Sequence, residues 1–310
     1  MTNSMNQKKL AIFSANEIRT NLWEVLEYYE RNGIIGLNEY LTPSGRVSLL
    51  DELVTIQQEA EDDMSANWNN QMVNFYSKNP LRTKPDDKEY VTEPYFQASR
   101  NKAHVFYEMI ENIRVVNRIG HGMHLIDRYS MMQQAVYNNP ILIALLKGIG
   151  FKKPICHLSV YIPKYPNGVG SEVRPHQEST FAYTVPQTVV VLWVALEDAL
   201  IENACMYGIL GSNHWPLKWV SRVNHQAKTR QFEQISELHI PDFVTENNCY
   251  IPLEIKAGDA LLFHGNFVHC SPINTSANSR KALSFQFIET HATHYPETNW
   301  LRNPNNRYLY

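Results

Sequence analysis

No stretch of the chain reaches the roughly 18 consecutive apolar residues that a membrane-spanning helix needs, so no such span is expected. The opening stretch MTNSMNQKKLAIFSANE has Lys8 and Lys9 but only four apolar residues in a row, too few for the apolar region of a secretory leader. Cysteine is scarce: Cys156, Cys205, Cys249 and Cys270 form no CxxC pair and no disulfide ladder, which points to reduced thiols in a cytoplasmic protein. Excess charge of either sign is also missing. With 28 basic and 31 acidic residues the formal net charge is −3, and no basic block is interleaved with aromatics, so an extended nucleic-acid footprint is not expected. There is no internal repeat, and no Pro/Gly/Ser-rich linker divides the chain.

What is present is a folding sequence. Apolar residues make up 44% of the 310 positions and aromatics 11%, with 17 Tyr, 12 Phe and 6 Trp, a load incompatible with disorder. Residues 16–32 place Ile18, Leu22, Val25, Leu26 and Tyr29 at helical spacing before Gly33, which predicts one helix. IIGLNEYL reads as a short strand. Thr42 and Pro43 then supply a cap and a first-turn proline for a second helix to about residue 62, with Val47, Leu50, Leu53 and Val54 inward. Residues 63–100 are polar and broken by prolines: a surface excursion or a flap over a pocket. KAHVFYEMIE reads as a returning strand. His121 and His124 are expected to be a satisfied or surface pair, and two helices follow in SMMQQAVY and NPILIALLKGIG.

From residue 156 the period changes to that of strands. They are expected at 156–162, 181–184, 188–196, 205–210, 260–264 and 281–288, with loops and one helical turn over 215–250 and an aromatic tail docked on the body. Helices followed by short strands suggest helices packed on an antiparallel sandwich or barrel.

RPHQESTFAYTVP, residues 174–186, is where chemistry concentrates. His176 and Glu178 stand two apart, so on a strand both side chains leave one face and can reach one ion, while Gln177 points away. A third donor must come from elsewhere. His264 and His269 lie in or beside one later strand, five apart and therefore of opposite parity, so one of the two is expected to serve. Two imidazoles and one carboxylate form the facial donor set of non-haem iron(II).

The stretch YIPKYPNGVGSEVRPHQESTFAYTVPQTVVVLWVALEDALIENACMYGILG contains HQE, LWVALEDA and the beginning of ENACMYGILGSNHW, and HGNFVHCSPINTSANSRKAL comes later. With NRIGHGMH and ETNWL, this order resembles the phytanoyl-CoA dioxygenase family, particularly its domain-containing branch, over roughly residues 115–305. That family typically has HQD, W-x-A-x-E/D-D, E-N-G-x-L and P-G-S-H. The resemblance implies an α+β fold: a double-stranded β-helix, the cupin-like jelly roll, with flanking N-terminal helices. It also implies a single 2-oxoglutarate oxygenase domain over 1–310, with 1–150 a mainly helical flank and substrate-side loops and 151–290 the jelly-roll core.

Carried over position by position, the resemblance makes His176, Glu178 and His269 the ligands of Fe(II). His269 is preferred to His264 because it alone stands eleven residues before Arg280, the family's arginine for the distal carboxylate of 2-oxoglutarate. Arginine offers a planar, permanently charged fork suited to that carboxylate. Ser271, Arg118 (where the family often has lysine), Trp193 and Val160 are the remaining cosubstrate-side positions.

Two departures stand out. Glu178 replaces the usual aspartate, lengthening the arm by roughly 1.5 Å, and Ala204 and Leu210 replace a glycine and a proline. The implied activity is hydroxylation of a small-molecule substrate with dioxygen, releasing succinate and CO2, with no nucleic-acid or membrane partner and with oligomeric state open. A different metal enzyme on the same jelly roll, or a non-catalytic binding protein on an oxygenase scaffold, are the alternatives. The first would have no need of Arg280, and the second takes its support from Glu178.

Overall fold

The computed structural model describes residues 9–68, 94–110, 113–224, 226 and 229–310. Its strands are β1 (Ile12–Phe13), β2 (Ile34–Leu37), β3 (Ala103–Ile110), β4 (Ile113–His121), β5 (Pro154–Lys164), β6 (Val173–His176), β7 (Val190–Ala195), β8 (Met206–Gly208), β9 (Trp219–Asn224), β10 (Thr229–Gln234), β11 (Ile251–Leu253), β12 (Ala260–His264), β13 (His269–Ser271) and β14 (Arg280–Glu289). The helices are α1 (Ala15–Thr20), α2 (Leu22–Asn32), α3 (Pro43–Asn67), α4 (Pro94–Ala98), α5 (Ser130–Val136) and α6 (Pro140–Ile149).

An eight-stranded sheet runs β1-β2-β12-β7-β14-β5-β4-β3, and a four-stranded sheet runs β11-β8-β13-β6. Every pairing in both is antiparallel except β1 with β2. Alternation along the central strands sends side chains into two separate cores. On β7, Val190, Leu192 and Val194 join the cluster formed with α2, α3, α5 and α6, whereas Val191, Trp193 and Ala195 join Met206 of β8 and Leu253 of β11 between the sheets. The result is a two-sheet jelly roll with helices on the outer face of the larger sheet.

Local chemistry explains the helix ends. Ser14 and Glu17 form a reciprocal capping box that starts α1. Asn21 then leaves helical geometry (φ −131°, ψ 40°), so residues 15–32 form two helices rather than the single one expected. Gly33 closes α2 at φ +78°, and a Cβ there would collide with Asn213, so the position demands glycine both sterically and conformationally. Thr42 and Pro43 begin α3 as expected, but α3 continues to Asn67. Its buried stripe is Leu49, Leu53, Ile56, Ala60 and Met64, while Val47 and Val54 are exposed and Leu50 half-buried. The inward face is shifted around the helix: spacings of three and four from Leu49 to Met64 carry the stripe through about four turns, Leu53 is on it, Leu50 flanks it, and Val47 and Val54 lie off it.

Other expectations also shift. The chain expected to be irregular over 63–100 is helical to Asn67 and again over Pro94–Ala98, and residues 69–93 of that proposed flap lie outside the described residues. Four strands before residue 151 join the large sheet: β2 and β3 where IIGLNEYL and KAHVFYEMIE were expected to be extended, with β1 and β4 in addition. Residues 181–184 form no strand; the chain there leaves a 3-10 turn and meets the tail through Tyr183, whose N–H and carbonyl bond the Asn299 amide, and through the bridge of Val185 to His294. Within 215–250, where loops were expected, β9 and β10 form a hairpin with Thr229 opposite Asn224. The tail docks as expected, burying Trp300, Leu301 and Leu309 in the outer core.

Candidate metal centre

Strand register assembles the centre. His269 of β13 lies opposite His176 of β6, and the two rings stand 4.2 Å apart, centroid to centroid. On its other side His269 faces Gly208 of β8, where a Cβ would strike the ring of Phe267. Phe267 in turn stacks nearly parallel to His269 (14° between planes), and the Phe263 ring lies 4.8 Å away. The two histidines are therefore held by packing before any ligand enters.

Hydrogen bonding then fixes their tautomers. A carbonyl oxygen only accepts, so the contacts of His176 Nδ1 with the Arg174 carbonyl (2.8 Å) and of His269 Nδ1 with the Phe267 carbonyl (3.0 Å) place the proton on Nδ1 in both rings. When neutral, each ring thus keeps its Nε2 lone pair free for a metal. Both lone pairs meet one carboxylate oxygen: Glu178 Oε2 is 3.2 Å from His176 Nε2 and 3.6 Å from His269 Nε2.

Glu178 does not sit on the strand, as the spacing had suggested. β6 ends at His176, and Glu178 opens a 3-10 turn over Glu178–Thr180. Convergence is reached because the turn swings the longer arm back toward the rings while Gln286 Nε2 of β14 donates to Glu178 Oε1. One carboxylate oxygen is pinned, and the other faces the histidines. Gln177, between them, is buried and ties the loops together, donating to the Pro216 and Asn266 carbonyls and accepting from the Lys218 N–H.

This donor set fits a metal ion. Three groups converge, with one atom from each residue within 4.8 Å of the others, and with both rings neutral the two nitrogens and the anionic oxygen repel unless a cation is shared. Donors at adjacent corners of an octahedron with bonds of about 2.1 Å stand about 3 Å apart, close to the 3.2 and 3.6 Å found. Electrostatics agree. Burial pushes the Glu178 carboxyl up, but its neighbours His176, His269 and Arg118 outweigh that and hold the group below the ordinary carboxylate range. Burial, aided by His176, drives His269 down to about 3, so this ring remains a neutral donor at any working pH.

His264 and His269 are on different strands, β12 and β13, separated by a short turn, which corrects the single strand expected for them. His264 accepts the Asn266 N–H on Nδ1 and is not one of the three converging groups. The cosubstrate-side candidates share the inner face of the large sheet, in rungs across β14. Ser284 lies opposite both Trp193 of β7 and Val160 of β5, and Val160 lies opposite Gly120 of β4. Arg280, first in the same alternating series, is 2% exposed with its guanidinium carbon 5.1 Å from the Trp193 ring centroid. Ser271 ends β13 and is buried.

Arg118 lies on β4. Its Nε donates to Asn117 Oδ1 at 2.9 Å, and its charge reaches Glu178 and His121. His121 and His124 are both buried, with Nδ1 bonded to Ser99 and Ser159 respectively. Two residues around the centre had no sequence argument: Gln286, which grips the carboxylate, and Lys164, which faces Arg280 in register. Parity along β14 (280, 282, 284, 286) was the available signal for Gln286. Nothing local marked Lys164.

The family model for phytanoyl-CoA dioxygenase (PhyH) matches residues 29–282. The chain belongs to the phytanoyl-CoA dioxygenase family. Among its relatives, phytanoyl-CoA dioxygenase domain-containing protein 1 of Rattus norvegicus is 30% identical over 290 residues, spanning 89% of this chain and 93% of the relative. The Caenorhabditis elegans homolog of that protein is 27% identical over 301 residues, or 92% and 97% of the two chains. Solved structures share the fold at low identity. AviO1 from Streptomyces viridochromogenes Tue57 superposes with a TM-score of 0.55 at 16% identity, over 88% of this chain and 97% of AviO1. The non-heme alpha ketoglutarate dependent epimerase SnoN from nogalamycin biosynthesis gives 0.58 at 14%, over 93% and 98%. A two-histidine, one-carboxylate centre in a phytanoyl-CoA dioxygenase family chain makes this protein a metal-dependent oxygenase.

Proposed function

We propose that the protein is an iron(II)- and 2-oxoglutarate-dependent oxygenase that oxidises a small molecule and releases succinate and CO2, with residues 1–310 acting as one oxygenase domain. The observation that carries this is the convergence of two Nδ1-protonated histidines and a pinned carboxylate on a point suited to a metal cation. His176, Glu178 and His269 would hold the metal. Iron(II) with 2-oxoglutarate supplies dioxygen activation coupled to oxidative decarboxylation, chemistry that belongs to the cofactors rather than to protein side chains.

The chain's own residues then bind, orient and exclude water. Gln286 holds Glu178 Oε1 so that Oε2 stays on the metal side. Arg280 presents buried N–H groups to the distal carboxylate, beside the Trp193 ring, with Ser271 nearby on β13, while Val160 lines the same sheet face two rungs closer to Gln286. Arg118 adds positive charge beside the centre, favouring an acidic cosubstrate. The four cysteines are unpaired, in keeping with the cytoplasmic reading, and among the described residues no helix is long and apolar enough to cross a membrane.

Anaerobic addition of iron(II) and 2-oxoglutarate tests the proposal directly. A weak visible charge-transfer band is expected, and admitting air should release succinate even without prime substrate. Absence of both would overturn the reading.

A further inference from the structure

Beside the metal centre the protein buries two cations together. Arg280 on β14 and Lys164 on β5 are directly opposite in the antiparallel register, so both side chains enter the space between the sheets from one face. Arg280 is 2% exposed and Lys164 5%. Burying two like charges side by side is costly unless an anion joins them. Among the described residues, neither has a carboxylate in ion-pair contact. Lys164 Nζ donates to Ser271 Oγ and the Pro272 carbonyl, with the Ser271 carbonyl 3.5 Å away, all neutral oxygens. Arg280 keeps Nε and Nη1 buried with no partner at all.

We propose that Lys164 is a second cationic anchor for the distal carboxylate of the cosubstrate, forming with Arg280 a two-cation cradle whose ligand is a dicarboxylate. The inference rests on the oxygenase reading above and adds to it a binding residue. Ser271 links the two parts: it accepts from Lys164 and donates to the Ala204 carbonyl at 3.3 Å, so the lysine also sets the orientation of that hydroxyl. The arrangement has a further consequence for protons. Burial, then the adjacent charge of Arg280, holds the Lys164 ammonium well below its usual range, while Cys270, Cys205 and Glu172 pull it the other way. An arriving carboxylate favours the charged form.

The test is calorimetric titration of the manganese(II)-loaded protein with 2-oxoglutarate and with 2-oxobutyrate, which has the same chelating end but no distal carboxylate. Lys164→Met is expected to weaken 2-oxoglutarate about 10- to 100-fold, the range for a hydrogen bond to a charged group, and to leave 2-oxobutyrate unchanged. Lys164→Arg should recover most of the loss. Equal weakening of both ligands, or no weakening, would overturn the proposal and leave Lys164 as a tie to the β13 carbonyls. Should neither variant fold, Lys164→Gln, which keeps an N–H donor toward the Ser271 and Pro272 oxygens without the charge, takes their place. Selective loss of 2-oxoglutarate binding supports the cradle, and loss equal for both ligands, or none, refutes it. Wild-type protein that binds neither oxo acid would sink the oxygenase reading itself, an outcome distinct from a silent Lys164 variant.

Discussion

Gln286→Leu isolates the device that lets this chain use glutamate as its carboxylate ligand. Gln286 Nε2 is the described donor to Glu178 Oε1, and its own Oε1 is buried without a partner. Leucine keeps most of the volume, removes that orphaned acceptor, and takes away the donor from a largely buried carboxylate. A hydrogen bond to a charged group is worth about 1.5–3 kcal/mol, and loss of an outer partner of a metal ligand lowers affinity about 10- to 100-fold. The metal-free fold should change far less, by about 1 kcal/mol, because one unsatisfied group disappears as another is created. The assay is an anaerobic competition titration of iron(II) or cobalt(II) against a chromophoric chelator, beside thermal melts of the metal-free protein. Metal affinity should fall 10- to 100-fold with the melting temperature nearly unchanged, and Gln286→His, which retains an N–H, should recover part of it. An affinity for Gln286→Leu within about threefold of wild type would refute the idea that this amide pins the ligand.

Three further outcomes follow from the same coordinates. Glu178→Asp, although it restores the family's usual residue, withdraws the carboxylate by roughly 1.5 Å from either Gln286 or the histidines; the chelator titration should show weaker metal binding than wild type, and tighter binding would contradict the geometry. Ala204 is held in the left-handed region at φ +65°, where the family has glycine, so Ala204→Gly should raise stability by about 1 kcal/mol in denaturant titration, and a loss would refute the strain. Acid should destabilise the metal-free protein steeply. Burial drives His104, His157 and His264 down to about 4 and His124 and His269 to about 3, so between those values and the unfolded value near 6.5 the unfolded chain binds more protons. Their stabilisation is complete above pH 6.5 and lost as pH falls, on the order of 1.4 kcal/mol each by pH 5.5. Melting temperatures that stay flat from pH 7 to 5 would show those rings to be charged already in the folded state.

What could be read from the sequence follows how local each cause is. The caps of α1, α3 and α6 are set by residues within a few positions of each helix end, and those ends lie close to where Thr42-Pro43, Pro140 and Gly150 put them. The α3 stripe was misplaced because Val47, Leu50, Leu53 and Val54 also fit helical spacing, and only the sheet beneath decides which stripe is covered. HQE pointed to the centre by residue type and spacing, and the family resemblance, through its interval from His269 to Arg280, added the third ligand. Its geometry was not local. Glu178 reaches the histidines from a 3-10 turn, and what compensates for its length is Gln286, 108 positions away, brought close by the pairing of β14 with β7 and β5. Lys164 is the same case: an unremarkable lysine at the end of YIPK becomes half of a cation pair only when register sets it against Arg280. The jelly roll therefore does more than carry three ligands. By aligning β14 between β5 and β7 it puts a carboxylate clamp at one end of a single strand face and a dicarboxylate cradle at the other. A slip of one residue in that register would turn Gln286 and Arg280 to the opposite face together, so metal affinity and cosubstrate affinity should fall as a unit in any variant that disturbs the bulge between Gln286 and Phe287.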